Sequence, residues 1–179
     1  EHVGALLPGD GDPYSRFIRR MNEYADRIGL RETRYLNPHG LTAVGHQASA
    51  RDLAKLAVVA LQIPRFREIV DTRQYGVTVE ATTGYSRNLL WKNTNQLLEI
   101  DGYAGVKTGT TRAAGACLVS TAQRNGRQLV LVVLGSSSSD ARYVDTRNLY
   151  RWAWQQLAQG DLPKQKLEPI KVSEEARRI

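Results

Sequence analysis

The sequence predicts an α+β fold, with helices packed on an antiparallel sheet. Three observations carry this. Apolar residues recur at helical spacing from about 12 to 70, β-rich segments joined by short links fill about 75 to 135, and helical spacing returns from about 140 to 159. Elements segregated in this way, rather than alternating strand by helix, suit helices that cover one sheet. At 179 residues the chain is long enough for one domain with a sizeable core. Hydrophobic residues at 41% and charged residues at 24% match an average globular protein, so composition points to neither disorder nor a membrane span.

The first helix is signalled at both ends. Asp12 suits an N-cap, Pro13 suits the first helical position because its missing N–H has no partner there, and Gly29 suits the stop. Phe17, Ile18, Met21, Tyr24, Ala25 and Ile28 form one apolar stripe. Arg16, Arg19, Arg20, Glu23 and Arg27 fall on the opposite face, which is expected in solvent. A breaker-rich loop, Asn37-Pro38-His39-Gly40-Leu41, follows. The second helix starts at Ser49, where Ser49-Ala50-Arg51-Asp52 has the form of a capping box; Leu53, Leu56, Ala57, Ala60 and Leu61 are its expected buried face. Pro64 ends this helix or starts a short one through Val70.

Tyr75 to Val79 reads as a strand. Gly102 to Thr108, Ala116 to Ala122 and Leu129 to Leu134 read as three more, forming a meander. Asn125-Gly126 marks a hairpin turn between the last two. Leu129 to Leu134 is almost wholly apolar, the pattern of a strand covered on both faces. The closing helix runs from Asp140 to about Gln159, with Val144, Leu149, Trp152, Ala153 and Leu157 expected inward. After Gly160, residues 160–179 read as a linker or tail.

Twenty-five Lys and Arg against 18 Asp and Glu leave a net charge of +7. A basic surface favours anionic partners. The arginines are spread along the chain without a dense run, so no nucleic-acid partner is expected. The single cysteine, Cys117, excludes an intrachain disulfide. No apolar run reaches transmembrane length, and no basic segment followed by an apolar one opens the chain. Its first residues, Glu1-His2-Val3, read as those of a piece whose beginning lies elsewhere.

The residues with a chemical message are Lys107-Thr108-Gly109. In acyl-serine enzymes a K-T-G triplet completes a set with S-x-x-K and S-x-N. A lysine ammonium is a compact charge for a substrate carboxylate, and a threonine hydroxyl can hydrogen-bond the same group. A glycine lets a ligand lie against the strand edge. The N–H of Thr110 stands where an oxyanion-hole donor is needed. The triplet alone is common by chance. Its position at the end of a β-like segment, before two apolar strands and a helix, raises its weight.

Several further segments extend the pattern. Asn37-Pro38-His39-Gly40-Leu41, Gly45-His46, Ala50-Arg51-Asp52-Leu53, Arg87-Asn88-Leu89-Leu90-Trp91, Asn93-Thr94-Asn95, Asp101-Gly102, Gly105 to Gly109, Ala114-Gly115 and Leu134-Gly135 occur in this order. Together, over roughly Glu1 to Leu157, they resemble the D-alanyl-D-alanine carboxypeptidases, the low-molecular-mass penicillin-binding serine peptidases. The resemblance implies a β-lactamase/transpeptidase-like fold with its N-terminal part missing, residues 1–159 being part of that domain. It implies cleavage of the terminal D-alanine from peptidoglycan stem peptides through an acyl-serine, outside the cytoplasmic membrane, with β-lactams acylating the same serine. Lys107, Thr108 and Gly109 match the family's substrate-binding triplet, and Arg87 matches a position that helps hold the substrate carboxylate. No metal or other cofactor is implied. Membrane anchoring would come from a segment beyond this chain.

One departure is serious. Ser15, Ser49, Ser86 and Ser120 are followed three residues on by Ile18, Asp52, Leu89 and Gln123, so S-x-x-K is absent. Ser86-Arg87-Asn88 has the letters of S-x-N in the wrong place. Nucleophile and base are therefore expected from upstream sequence, and this chain by itself is expected to be inactive. Missing strands would also bare an apolar sheet edge, an aggregation hazard that the N-terminal fragment or a second copy would relieve. A pseudoenzyme keeping the KTG groove is the alternative, and a β-lactamase a lesser one, since Glu68, Glu80 and Glu99 lack the setting of a deacylating residue. His39 and His46 flank turns without ligand-spaced partners, and structural roles are expected for them. Cys117, Trp91, Trp152 and Trp154 are expected to be packing residues.

Overall fold

The computed structural model describes residues 5–160; the expected tail from 161 onward lies outside them. Helix α1 spans Pro13–Arg27. The Ser15 N–H donates to Asp12 at 3.0 Å and the Ser15 hydroxyl at 2.6 Å. These bonds, the hydroxyl's first, hold the Asp12 carboxyl below its ordinary range. Gly29 closes the helix at φ +74°, as a C-terminal glycine should.

Helix α2 spans Ala50–Ala60 and α3 spans Pro64–Asp71. Only half of the expected capping box forms. Ser49 Oγ accepts from the Asp52 N–H at 3.2 Å, but Asp52 turns away from Ser49. Its Oδ2 accepts instead from the Glu32 N–H at 2.7 Å and the Thr33 hydroxyl at 2.8 Å. A carboxylate offered two donors from a distant loop has more to gain there than from one exposed cap N–H. This ties α2 to the segment after α1. Ala25, Ile28, Leu30 and Val59 form a small core here, with Tyr24, Tyr35 and Leu56 against it.

Strands β1 (Gln74–Glu80) and β2 (Ser86–Lys92) pair antiparallel as a separate two-stranded sheet. The main sheet is β3 (Tyr103–Thr111), β4 (Gly115–Arg124) and β5 (Arg127–Ser136), an antiparallel meander in the order β3-β4-β5. Asn125 and Gly126 both take positive φ, 50° and 71°, which identifies the turn as type I′. Helix α4 (Ala141–Gln159) covers one face of this sheet. Tyr150, fully buried, meets Ser120 Oγ at 3.1 Å and stands edge-on to Tyr103 at 5.3 Å. Burial holds its phenol well above the usual range, so it stays neutral. Leu97, Leu118 and Tyr143 complete this core. Helices α2 and α3 approach the opposite face, leaving an apolar cavity of about 480 Å³ between Leu53, Leu56, Phe66, Val70, Val119 and the Lys107–Gly109 backbone.

Several packing expectations do not hold. Val144, Leu149 and Trp152 are 46%, 42% and 52% exposed, and α4 instead buries Arg142, Tyr143, Thr146 and Tyr150. The helix has apolar residues on two sides, and the sheet takes the side whose polar tips find partners in it. Trp91 is 55% exposed and Trp154 only half-buried, so neither is a core residue. Within β5 only Val133 of the 129–134 run is buried, and Leu134 is 41% exposed. Helices α2 and α4 both pack against β5, as its apolar run predicts, but among the described residues it is an edge strand, so most of that run stays partly exposed.

Gly105 sits at an irregularity of β3, between Ala104 and Val106. A Cβ there would lie 2.6 Å from Val70 Cγ2 and 2.9 Å from the Val70 carbonyl. Gly105→Ala should therefore lower stability by about 1–3 kcal/mol, the usual cost of overpacking. Urea unfolding would read this; an unchanged midpoint would mean that α3 and β3 separate freely.

Candidate functional site

The KTG triplet lies on β3, an edge strand of the main sheet. Lys107 is exposed, and its Nζ donates to the Thr108 carbonyl. Thr108 is buried, with its Oγ1 2.8 Å from Thr94 Oγ1. Nothing lies within 4 Å of where a Gly109 Cβ would be, so the strand is open to a ligand at that point. Thr110 follows on the strand and is also exposed.

The most consequential neighbour is Arg142, in the first turn of α4. It is only 7% exposed. Its Nη1 donates to Thr110 Oγ1 at 3.1 Å and lies 3.5 Å from the carbonyls of Gly109 and Cys117. Its Nη2 reaches Tyr143 Oη at 3.4 Å, and its Cζ stands 4.9 Å from the centroid of the same ring. Tyr143 in turn donates to the Thr94 carbonyl at 2.8 Å and accepts from the Gln96 N–H. Thr94, Thr108, Thr110, Arg142 and Tyr143 thus form one connected polar network behind the triplet. Arg142 Nε in this network is buried without a partner among the described residues, as is Nδ2 of Asn95, the residue that follows Thr94. Among the described residues no ion pair involves Arg142; the pairs Arg20–Glu23 and Arg65–Glu68 lie elsewhere. A buried cation held only by carbonyls, hydroxyls and a ring is costly, and an arriving anion would relieve that cost.

The loop carrying Asn37 to Leu41 also reaches this place. Thr42 Oγ1 donates to Thr111 Oγ1 at 3.0 Å, joining residues that are far apart in the chain. Within the loop, Asn37 Oδ1 accepts from the Gly40 N–H at 2.8 Å and its Nδ2 donates to the Leu41 carbonyl at 2.9 Å. His46 Nδ1 accepts from the Leu36 N–H at 3.1 Å, and the ring lies edge-on to Tyr35. His39 Nδ1 likewise accepts from the Leu41 N–H. Both histidines serve the local backbone.

Arg87 is exposed on β2, and its side chain makes no hydrogen bond or ion pair among the described residues. Asn88 accepts from Thr78 at 2.7 Å across the same hairpin. The structure therefore gathers Lys107, Thr108, Gly109 and Thr110 on one strand and leaves Arg87 on a different sheet. Arg142 lies in none of the motif segments and was not among the site residues expected from the sequence. One signal was available: a cation in the first turn of a helix opposes the helix dipole, and that invites a reason for its presence.

Comparison with known proteins gives a consistent result. The sequence profile of the D-alanyl-D-alanine carboxypeptidases matches residues 9–138, more than half of the chain. D-alanyl-D-alanine carboxypeptidase DacD of Escherichia coli (strain K12) is 35% identical over 142 residues, 78% of this chain and 34% of that protein. The D-alanyl-D-alanine carboxypeptidase of Streptomyces sp. (strain K15) is 35% identical over 140 residues, 77% of this chain and 48% of that protein. The crystal structure of the Streptomyces K15 DD-transpeptidase superposes with a TM-score of 0.78 at 33% identity, covering 86% of this chain and 60% of that one. The chain thus spans less than half the length of these curated relatives.

Proposed function

The chain belongs to the D-alanyl-D-alanine carboxypeptidase family and has the fold of its penicillin-binding DD-peptidases, and from that premise we propose that it supplies the carboxylate-holding side of a serine-type D-Ala-D-Ala carboxypeptidase site. The observation that carries the reading is Arg142, a buried guanidinium next to Thr110 and Gly109 with no counter-ion among the described residues. A peptide laid along the open edge of β3 would bring its terminal carboxylate to Lys107 and the Thr108 hydroxyl, with Arg142 behind them. The guanidinium is permanently charged and planar, which suits a carboxylate.

The reaction needs a serine nucleophile and a lysine base, and we assign both to sequence upstream of this chain. The serine oxygen would bond to the carbonyl carbon of the penultimate D-alanine while the base takes its proton. The oxyanion would form near the Thr110 N–H. The peptide C–N bond would then break, with the proton passing to the departing D-alanine amine, and water would hydrolyse the acyl-serine. The apolar cavity between α2, α3 and the triplet supports this assignment, because it lies against the Lys107–Gly109 backbone and is lined almost wholly by aliphatic and aromatic groups. A segment carrying the nucleophile would pack there, and a strand from that segment or from a second copy would pair with β5. Such a reaction would take place on the cell-wall side of the cytoplasmic membrane. Arg87 would join the substrate only if the β1–β2 hairpin folds toward β3.

Denaturing intact-mass spectrometry before and after incubation with a penicillin tests the reading. The 20.0 kDa chain alone should stay unmodified, whereas the protein with its upstream segment should gain the drug's mass on that segment. Acylation of the 20.0 kDa chain itself would refute the assignment of the nucleophile. Absence of acylation in the longer protein, with peptide binding retained, would favour a pseudoenzyme that captures D-Ala-D-Ala ends without cutting them.

A further inference from the structure

The β1–β2 hairpin carries a feature that neither the triplet nor the Arg142 network uses. Tyr75 and Trp91 are cross-strand partners in the register of this hairpin. Their rings are stacked, 6.1 Å between centroids with only 2° between planes. Both are large apolar groups left in solvent, 59% and 55% exposed. A stacked pair holds two strands in register whether or not its outer faces are used. This pair, however, also forms one wall of a cavity of about 490 Å³, completed by Arg65, Glu68, Gln74 and Lys92. Arg65 and Glu68 are paired at 2.7 Å, while the Gln74 and Lys92 side chains make no hydrogen bond among the described residues. Flat aromatic faces beside several polar groups that can donate and accept suit a ligand with an apolar face and a hydroxylated rim. A pyranose ring is such a ligand, and its acetamido substituent adds both a donor and an acceptor.

The position strengthens the case. Trp91 and Thr94 are three positions apart in the chain, a reach of at most about 10 Å, and Thr94 is hydrogen-bonded to Thr108 of the triplet at 2.8 Å. The aromatic wall is therefore linked through a short segment to a residue that supports the triplet. We propose that the Tyr75–Trp91 stack and its cavity bind the glycan strand of peptidoglycan, an N-acetylated amino-sugar chain, beside the groove that holds the stem peptide. The choice of sugar rests on the carboxypeptidase reading; the aromatic and polar geometry does not.

The test is saturation-transfer NMR and titration of the purified protein with an N-acetylglucosamine tetrasaccharide, which carries no peptide. Binding should be weak, with transfer strongest to the sugar C–H protons. Trp91→Ala and Tyr75→Ala should each weaken it at least 10-fold, Tyr75→Phe should keep it, and Trp152→Ala should leave it unchanged. Trp152 is the control because it is equally solvent-facing, at 52%, on a different element. All three positions are exposed, and thermal melts would confirm that the variants remain folded. No detectable binding of the tetrasaccharide, or an equal loss in Trp152→Ala, overturns the proposal. A sugar-free peptide ending in D-Ala-D-Ala is tested in parallel. If it fails to bind while the tetrasaccharide binds through Trp91, the stem-peptide reading falls and the sugar site stands. If the peptide binds and the tetrasaccharide does not, the reverse holds.

Discussion

Replacing Arg142 with glutamine should slow acylation by a penicillin about 100-fold in the protein that includes its upstream segment. That factor corresponds to about 2.7 kcal/mol, within the range for losing a hydrogen-bonded charge pair in a site shielded from water. The physical reason is that the guanidinium has no anionic partner among the described residues: its contacts are the Thr110 hydroxyl, two carbonyls and the Tyr143 ring and hydroxyl. An interaction waiting for a substrate carboxylate should be lost with that carboxylate as well as with the arginine. A peptide substrate with an amidated C-terminus should therefore react slowly with the native protein and no more slowly with Arg142→Gln. If Arg142→Gln slowed both substrates equally, the arginine would be holding β3 and α4 together and not binding substrate. Glutamine is the informative replacement, since its amide can still donate to Thr110.

Asp52→Ala should destabilise the fold by about 3 kcal/mol, a large part of the 5–15 kcal/mol typical of a native domain. Asp52 is 3% exposed and bridges the start of α2 to the segment after α1 through the Glu32 N–H and the Thr33 hydroxyl. Alanine would orphan both donors, and an unsatisfied buried donor costs about 1–3 kcal/mol. Asp52→Asn keeps an oxygen acceptor and should lose clearly less. Urea unfolding of the two variants would show the difference. Equal and small losses would mean that water replaces the carboxylate and that the bridge contributes little.

The candidate site was legible in the sequence to the extent that its residues are contiguous. Lys107-Thr108-Gly109-Thr110 stand in one line, so a motif reading finds them. Arg142 was not legible, because its partners Thr110 and Tyr143 and the Thr94 behind them come from three separate elements. Asp52 shows the same limit from the other side. Its spacing from Ser49 satisfied a local rule, yet its carboxylate went to a loop some twenty residues away.

What the sequence determined alone was everything governed by interactions a few residues long. Asp12 and Pro13 set the start of α1, Gly29 its end, Asn125-Gly126 the β4–β5 turn, and alternation and apolar runs the three strands of the meander. Caps, turns and periodicity act through the backbone nearby, so they can be read in one dimension. Only the tertiary structure decided which side of α4 faces the sheet, that Trp91 stays in solvent and that Arg142 is enclosed. Those outcomes depend on which surface a side chain meets, and the surface is built from residues distant in sequence. The α4 stripe of Arg142, Tyr143, Thr146 and Tyr150 won because the sheet and the 94–96 segment offered Thr110, Ser120 and Thr94 to its polar tips. Burial of a polar group requires such partners, and no pattern along a single helix can supply them.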